Sequence, residues 1–170
     1  MDLVVHRDGW LEAGGRRLKC RLGRSGVVAD KREGDGGTPV GAWPLRAVLY
    51  RPDRVARPQT ALPVRALTGD DGWCDDPSHA DYNRPVQLPH PASCEKMWRE
   101  DGLYDVVVVI GHNDAPPVPG LGSAIFLHVA DPGGKPTEGC VALALADLTD
   151  LLGDCRPGDR LVVLPLSEQG

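Results

Sequence analysis

Aromatic side chains are scarce in this chain: Trp, Tyr and Phe together make up 5% of it, with a single Phe. Long apolar runs are missing too. No stretch approaches the roughly 18 consecutive apolar residues of a membrane-spanning helix, so no membrane span is expected. The first residues, MDLVVHRDGWLEAGG, carry charges at positions 2, 7 and 8 and only a short apolar run. They lack the basic start, the apolar stretch of roughly 7–15 residues and the small-residue cleavage site of a secretory signal. The chain as given reads as soluble, with a signal already removed or another export route left open. There is no internal repeat and no low-complexity linker. With 170 residues, that points to one domain over 1–170 with a proper core.

Excess positive charge is also absent. The net charge of −5 argues against general nucleic-acid binding. The charge is uneven, however: residues 1–65 hold 13 Lys/Arg against 7 Asp/Glu, and residues 66–170 hold 6 against 17. A basic half can attract a carboxylate-rich ligand, although surface charge also varies along chains with no functional meaning. Five cysteines (Cys20, Cys74, Cys94, Cys140 and Cys155) cannot all pair within one chain. At least one thiol is therefore unpaired, and one or two disulfides stay open. No CxxC or CxxH spacing occurs, which argues against a structural zinc site, and no metal is expected.

What the chain has in quantity is Gly, at 21, and Pro, at 16. Both punctuate secondary structure and favour strands and turns over a helix bundle. Short apolar or alternating runs predict strands at Leu3–His6, Arg17–Leu22, Val27–Asp30, Leu45–Tyr50, Asp105–Gly111, Ala124–Val129 and Arg160–Leu164. VVVVI, at 106–110, is apolar enough for a buried central strand. Leu145, Leu148, Leu151 and Leu152 recur at helical spacing, with Gly153 as a stop. A second short helix is expected over 93–100, capped by Ser93. The Pro- and Asp-rich stretch 51–84 reads as a long irregular excursion. The expected class is mainly β with one or two short helices.

The chemistry concentrates in "IFLHVADPGGKPTEGCVAL", residues 125–143. His128 ends a strand, a Gly/Pro-rich loop follows, and Cys140 comes after Gly139 and before the expected helix. Alone, each residue is more often a core histidine or an inert buried thiol. Together they fit a nucleophile and its base as well as they fit that inert reading. A thiol near a helix N-terminus is acidified by the peptide dipoles, a neighbouring histidine can take its proton, and backbone N–H groups around Gly139 can hold an oxyanion. The chemistry so described is acyl transfer through a thioester.

The segment resembles the active-site region of the L,D-transpeptidases with a YkuD-type catalytic domain. Their signature is a histidine, a loop and Ser/Thr-x-Gly-Cys, supplied here by His128 and Thr137-Glu138-Gly139-Cys140. KREGDGGTPVGAWPL (31–45), DYNRPV (81–86), YDVVVVIGHN (104–113) and GSAIFLHV (122–129) look like further family segments in the expected order. The resemblance implies two packed mixed β-sheets with the active site at one end. It implies Cys140 as nucleophile, His128 as base oriented by a backbone carbonyl, and the Gly139 and Cys140 N–H groups as the oxyanion hole. It further implies peptidoglycan stem peptides as substrates, a periplasmic or envelope location, covalent capture of carbapenems, and no need of a metal or organic cofactor. The acyl-enzyme would be resolved by a meso-diaminopimelate amine, or by water in an L,D-carboxypeptidase. A non-catalytic peptidoglycan-binding module is the alternative from another class.

Three positions depart from the family's common pattern. Glu138 stands where many relatives have His, Ala142 where they have Arg or Asn, and His112 where similar chains show Tyr. These departures make a branch forming 1,3 links a candidate beside the 3,3 type. Thr137, Glu138, His112, Asn113, Tyr82, Asn83 and Lys31 are the expected substrate contacts, with Tyr82, Asn83 and Arg84 forming a flap. For Lys31 and Arg32 a solvated loop is the bland alternative. His79 and His90 are expected at the surface, and Cys20, Cys74, Cys94 and Cys155 are expected to be structural or incidental.

Overall fold

The computed structural model describes residues 1–168. Its strands are β1 (Asp2–His6), β2 (Trp10–Ala13), β3 (Arg16–Arg21), β4 (Val27–Val28), β5 (Thr38–Pro39), β6 (Gly41–Tyr50), β7 (Val64–Ala66), β8 (Asp71–Cys74), β9 (Pro85–Gln87), β10 (Cys94–Lys96), β11 (Val106–Ile110), β12 (Phe126–Val129), β13 (Val141–Leu143) and β14 (Arg160–Val163). The one α-helix among the described residues, α1, is Leu145–Leu152.

Period-two burial decides which face of each strand turns inward. In β1, Leu3 and Val5 are fully buried and Val4 is not. The strands build two layers, β3-β2-β1-β14-β6 and β3-β13-β12-β11-β6-β7. Two strands serve both. Gly41–Pro44 of β6 pair with β14, while its residues 45–50 pair with β11. Likewise β3 pairs first with β2 and then, through Cys20 and Arg21, with β13. Parallel pairs (β1 with β14, β12 with β13, β6 with β7) mix with antiparallel ones. Between the layers lies an apolar core in which Leu3, Val5, Leu11 and Leu161 of the first meet Val108, Leu127, Val141 and Leu143 of the second. Leu148, Leu151 and Leu152 of α1 join it.

The second layer is buried on both faces. Its outward-facing Leu49, Val107 and Phe126 are covered by Leu67, Trp73, Met97 and Tyr104, because the excursion runs on past its expected end at 84 as far as β11. That coverage is why VVVVI is apolar throughout. The excursion is more ordered than its composition suggests, since β8 is flanked by β9 and β10 in a small antiparallel sheet. Arg51 ties its ends together. Its guanidinium, 2% exposed, bonds Asp53 at 2.8 and 2.9 Å, donates to the Arg99 carbonyl and stacks on Trp98 at 3.6 Å.

Several expectations need correction. The helix expected over 93–100 is instead strand β10 and a bend, because Cys94–Lys96 find ladder partners in β8; a helix that short is marginal without tertiary help. The strand expected at 27–30 shortens to Val27–Val28. The helix begins only at Leu145, because Val141–Leu143 form a strand parallel to β12. β2, β5, β7, β8, β9 and β13 were not foreseen. All five cysteines are free, so neither disulfide is formed.

Candidate active site

The β12–β13 pairing places the two reactive residues. Leu127 lies opposite Val141 and His128 opposite Ala142, so Cys140 enters the pair one residue earlier, beside Phe126. Alternation then puts Phe126, His128 and Cys140 on one face, the face beneath the excursion. Both His128 and Cys140 line a cavity of about 670 Å³. They share that cavity because of strand register, not because the Gly/Pro loop folds one onto the other.

Cys140 lies outside the reach of the dipole of α1, which starts five residues later beyond β13. The helix-terminus argument for an acidified thiol therefore fails. In its place Sγ accepts the Phe126 N–H at 3.3 Å and donates to the Ala124 carbonyl at 3.2 Å. Burial, with Glu95 adding repulsion, pushes the thiol up to about 12, against the Phe126 N–H. His128 is 4% exposed, and its Nδ1 faces the Val129 carbonyl at 2.8 Å. A carbonyl can only accept, so Nδ1 carries the hydrogen and Nε2 keeps its lone pair. Burial lowers the imidazole to about 4, outweighing the Val129 and Leu103 carbonyls that favour the charged ring. The resting pair is a neutral thiol and a neutral imidazole.

Gly139 is demanded by its surroundings. It has φ +140°, and a Cβ would sit 2.8 Å from the Gly37 carbonyl oxygen and 3.0 Å from Ile125 Cδ1. Its N–H donates to Thr137 Oγ1 at 3.1 Å, and that hydroxyl donates to the Cys140 carbonyl at 2.6 Å. The Gly139 N–H is therefore committed within the loop and does not face a substrate oxyanion. Thr137 acts as the clasp of this turn.

Behind Cys140 lies a knot of left-handed backbone. Asn83 (φ 54°), Asn113 (φ 50°) and Ala124 (φ 53°) are the non-glycine residues with positive φ among the described residues. Alanine gains nothing from that region, and its strain of about 1 kcal/mol or more must be held by neighbours. Asn83 does the holding. Its Oδ1 accepts the Ala124 N–H at 3.1 Å and the Trp73 Nε1–H at 2.9 Å. Its Nδ2 donates to the His112 and Asn113 carbonyls at 3.1 and 2.7 Å. Asn113 in turn binds Val118 and Gly122. Tyr82, 2% exposed, donates to Glu33 at 2.6 Å and accepts the Gly122 N–H at 3.0 Å.

Of the residues expected to touch substrate, Lys31, Thr137 and Glu138 line the cavity. Tyr82, Asn83, His112 and Asn113 do not; the first three are buried, Asn113 is half-buried, and they form a brace, a direction of turn that the sequence pattern does not show. Lys31 is nearly buried, with Nζ 2.5 Å from Asp35, so the solvated-loop reading fails. Glu138, at the rim, pairs with Arg24 at 2.9 Å. Ala142 is fully buried opposite His128, away from the cavity lining.

The excursion supplies the wall that the sequence did not reveal. Asp75, Glu95, Arg99, Asp101 and Tyr104 line the cavity together with Cys140 and His128. Tyr104 stacks edge-on to His128 at 5.3 Å and donates to Glu95, whose carboxyl is pushed up by burial. The available signal was the charged and aromatic string MWREDGLYD just before β11. A helix assigned over part of it hid the alternation.

His112 packs edge-on against Trp43 at 4.8 Å, and burial, with Lys31 nearby, lowers it to about 4. Two buried neutral histidines set an acid sensitivity. Between about pH 6.5 and 4 the unfolded chain binds protons that the folded His112 and His128 refuse, so stability falls as pH drops through that window. Each histidine contributes a slope of up to about 1.4 kcal/mol per pH unit. Urea melts of His112→Gln across that window should show a shallower slope than the parent; an unchanged slope contradicts the account.

Comparison with curated proteins and with solved structures gives no match. The family model for the L,D-transpeptidase catalytic domain, YkuD, matches residues 2–163. That match covers nearly the whole chain and includes every element that positions Cys140 and His128. With its mixed two-layer β architecture, the chain belongs to the YkuD family of L,D-transpeptidase catalytic domains.

Proposed function

We propose that this protein is a peptidoglycan L,D-transpeptidase that works through Cys140 and His128. The observation that carries the reading is the register of β12 and β13, which sets thiol and imidazole on one face of one cavity. The family acts on peptidoglycan, whose stem peptides carry both carboxylates and amines. The cavity offers charges of both signs, Lys31 and Arg99 against Glu95 and Asp101.

The steps follow from the resting state. The Cys140 S–H turns from the Ala124 carbonyl to His128 Nε2, which takes the proton as sulfur attacks the carbonyl of an L-centre. The Phe126 N–H steadies the sulfur as charge develops on it. The Cys140 N–H is assigned as oxyanion donor, since Gly139 has given its own to Thr137. Collapse expels the D-residue amine, which His128 protonates, and leaves a thioester. A meso-diaminopimelate amine on a neighbouring stem then attacks the thioester and restores the thiol. The acceptor position is the third residue of that stem, and the donor length decides between 3,3 and 1,3 links. The substrate places the working enzyme in the cell envelope. Among the described residues no helix is long and apolar enough to cross a membrane.

Incubation with purified muropeptides, read by mass spectrometry, tests the proposal. Cross-linked dimers are expected, with fragmentation distinguishing 3,3 from 1,3 linkage. Truncated stems without dimers would make the enzyme an L,D-carboxypeptidase. Folded protein giving neither product, nor a carbapenem adduct on Cys140, would identify a binding module and overturn the reading.

A further inference from the structure

A second cluster of reactive side chains lies on the excursion, on the side away from Cys140. Cys74 ends β8 and Cys94 begins β10, and the two stand directly opposite. The ladder bonds Asp75 N–H to Ser93 O at 3.1 Å and Met97 N–H to Asp71 O at 3.0 Å bracket them. Alternation then makes Cys74–Cys94 a non-hydrogen-bonded pair, the position where side chains of facing strands come closest. A ring nitrogen of His90 joins them, with the three ligand atoms all within 4.8 Å of one another. His79 and Asp81 form a second triad with the same His90, also within 4.8 Å. Asp81 lies 2.9 Å from His90 Nε2, and the His79 ring meets the His90 ring at 4.8 Å. His90, expected at the surface, has a side chain only 10% exposed.

We propose that Cys74, Cys94 and His90 bind a zinc ion, with water in the fourth position. Two thiolates and an imidazole are a donor set that favours Zn²⁺, and Asp81 on His90 Nε2 is the usual orienting partner of a zinc-bound histidine, leaving Nδ1 to exchange the Ala92 N–H for the ion. On binding, the two thiols release their protons to solvent and no electron moves. The ligands come from two strands and the turn between them, so no CxxC spacing appears in the sequence.

The location gives the ion a task. Strands of three or four residues with no helix of their own are too short to be stable alone. Trp73 and Glu95, on the opposite face of the same strands, form the wall over the active site, Trp73 packing on Phe126 at 4.9 Å. Zinc on the outer face would staple that wall. The site does not depend on Cys140 being a nucleophile, so the two readings fail separately.

Cobalt titration of the reduced, chelator-treated protein is the test. Wild type should develop a thiolate-to-Co²⁺ charge-transfer band and tetrahedral visible bands that saturate at one equivalent and vanish on adding Zn²⁺. Cys94→Ser should leave about half the charge-transfer intensity, and His90→Ala should weaken Co²⁺ binding about tenfold or more. Cys140→Ala should titrate like wild type. Circular dichroism checks that each variant is folded. If one variant is not, the Co²⁺ spectrum of wild type, with its two-thiolate intensity, still decides. No band in reduced wild type, or a band that Cys94→Ser leaves unchanged, overturns the proposal. So does purified protein whose intact mass shows a Cys74–Cys94 disulfide and which, once reduced, takes up no zinc.

Discussion

Cys140→Ala is expected to take cross-linked product below detection while the chain stays folded. Sγ is the atom assigned to the acyl group, and no other thiol lines the cavity. The structural cost is modest. The side chain is small, and its loss leaves the Phe126 N–H and the Ala124 carbonyl short of a weak sulfur partner, worth about 1–2 kcal/mol. A variant that folds, melts close to the parent and forms no dimers is the expected result; full activity would remove Cys140 from the mechanism. His128→Gln should lower kcat about 10²- to 10⁴-fold, the usual worth of a positioned base. The pH profile separates two forms of this chemistry. With the imidazole near 4 and the thiol near 12, the resting pair is uncharged, and the proton moves only as the sulfur attacks. Activity should then fall as pH drops through about 4, where His128 becomes protonated and can no longer accept, and hold level through neutrality. The apparent values belong to the pair. A rise centred near neutral pH would instead indicate a preformed thiolate–imidazolium pair.

Asn83→Ala should be among the most destabilising substitutions in the chain, by about 3–5 kcal/mol. It would leave four buried backbone and side-chain groups without their partner: the Trp73 indole N–H, the Ala124 N–H, and the His112 and Asn113 carbonyls. It would also release Ala124 from its left-handed conformation, and with it the carbonyl that holds the Cys140 thiol. A large drop in the urea midpoint is the expected measurement. An unchanged midpoint with a raised KM would restore the substrate contact suggested by the DYNRPV motif. Asn83→Asp, which keeps Oδ1 but loses the Nδ2 donors, should fall between the two.

The contrast between Asn83 and Lys31 shows how far sequence reading goes. Both were expected to touch substrate because both sit in family-like segments. Lys31 does reach the cavity. Asn83 turns away and spends all its hydrogen-bonding capacity inside the protein. A motif records that a residue type is needed at a position; it is silent on whether the need is for chemistry or for bracing. The helix expected over 93–100 failed for a related reason. Ser93 and the following residues satisfy helix rules locally, yet Cys94–Lys96 gain more by pairing with β8, which lies twenty residues away.

By itself the sequence determined the mainly β class, the buried central strand and the amphipathic face of α1, and it singled out the two residues proposed for acyl-transfer chemistry. These follow from local pattern: apolar period, Gly and Pro placement, and a Gly-Cys beside a strand-end histidine. Only the tertiary structure decided how that chemistry is set. The thiol and the imidazole share one face and one cavity through the register of β12 against β13, not through a helix dipole, and the wall above them comes mostly from residues 95–104, part of which reads as a helix. The same is true of Cys74, Cys94 and His90. Residues that meet across a sheet are neighbours through hydrogen bonds between distant strands, and no spacing along the chain encodes that distance.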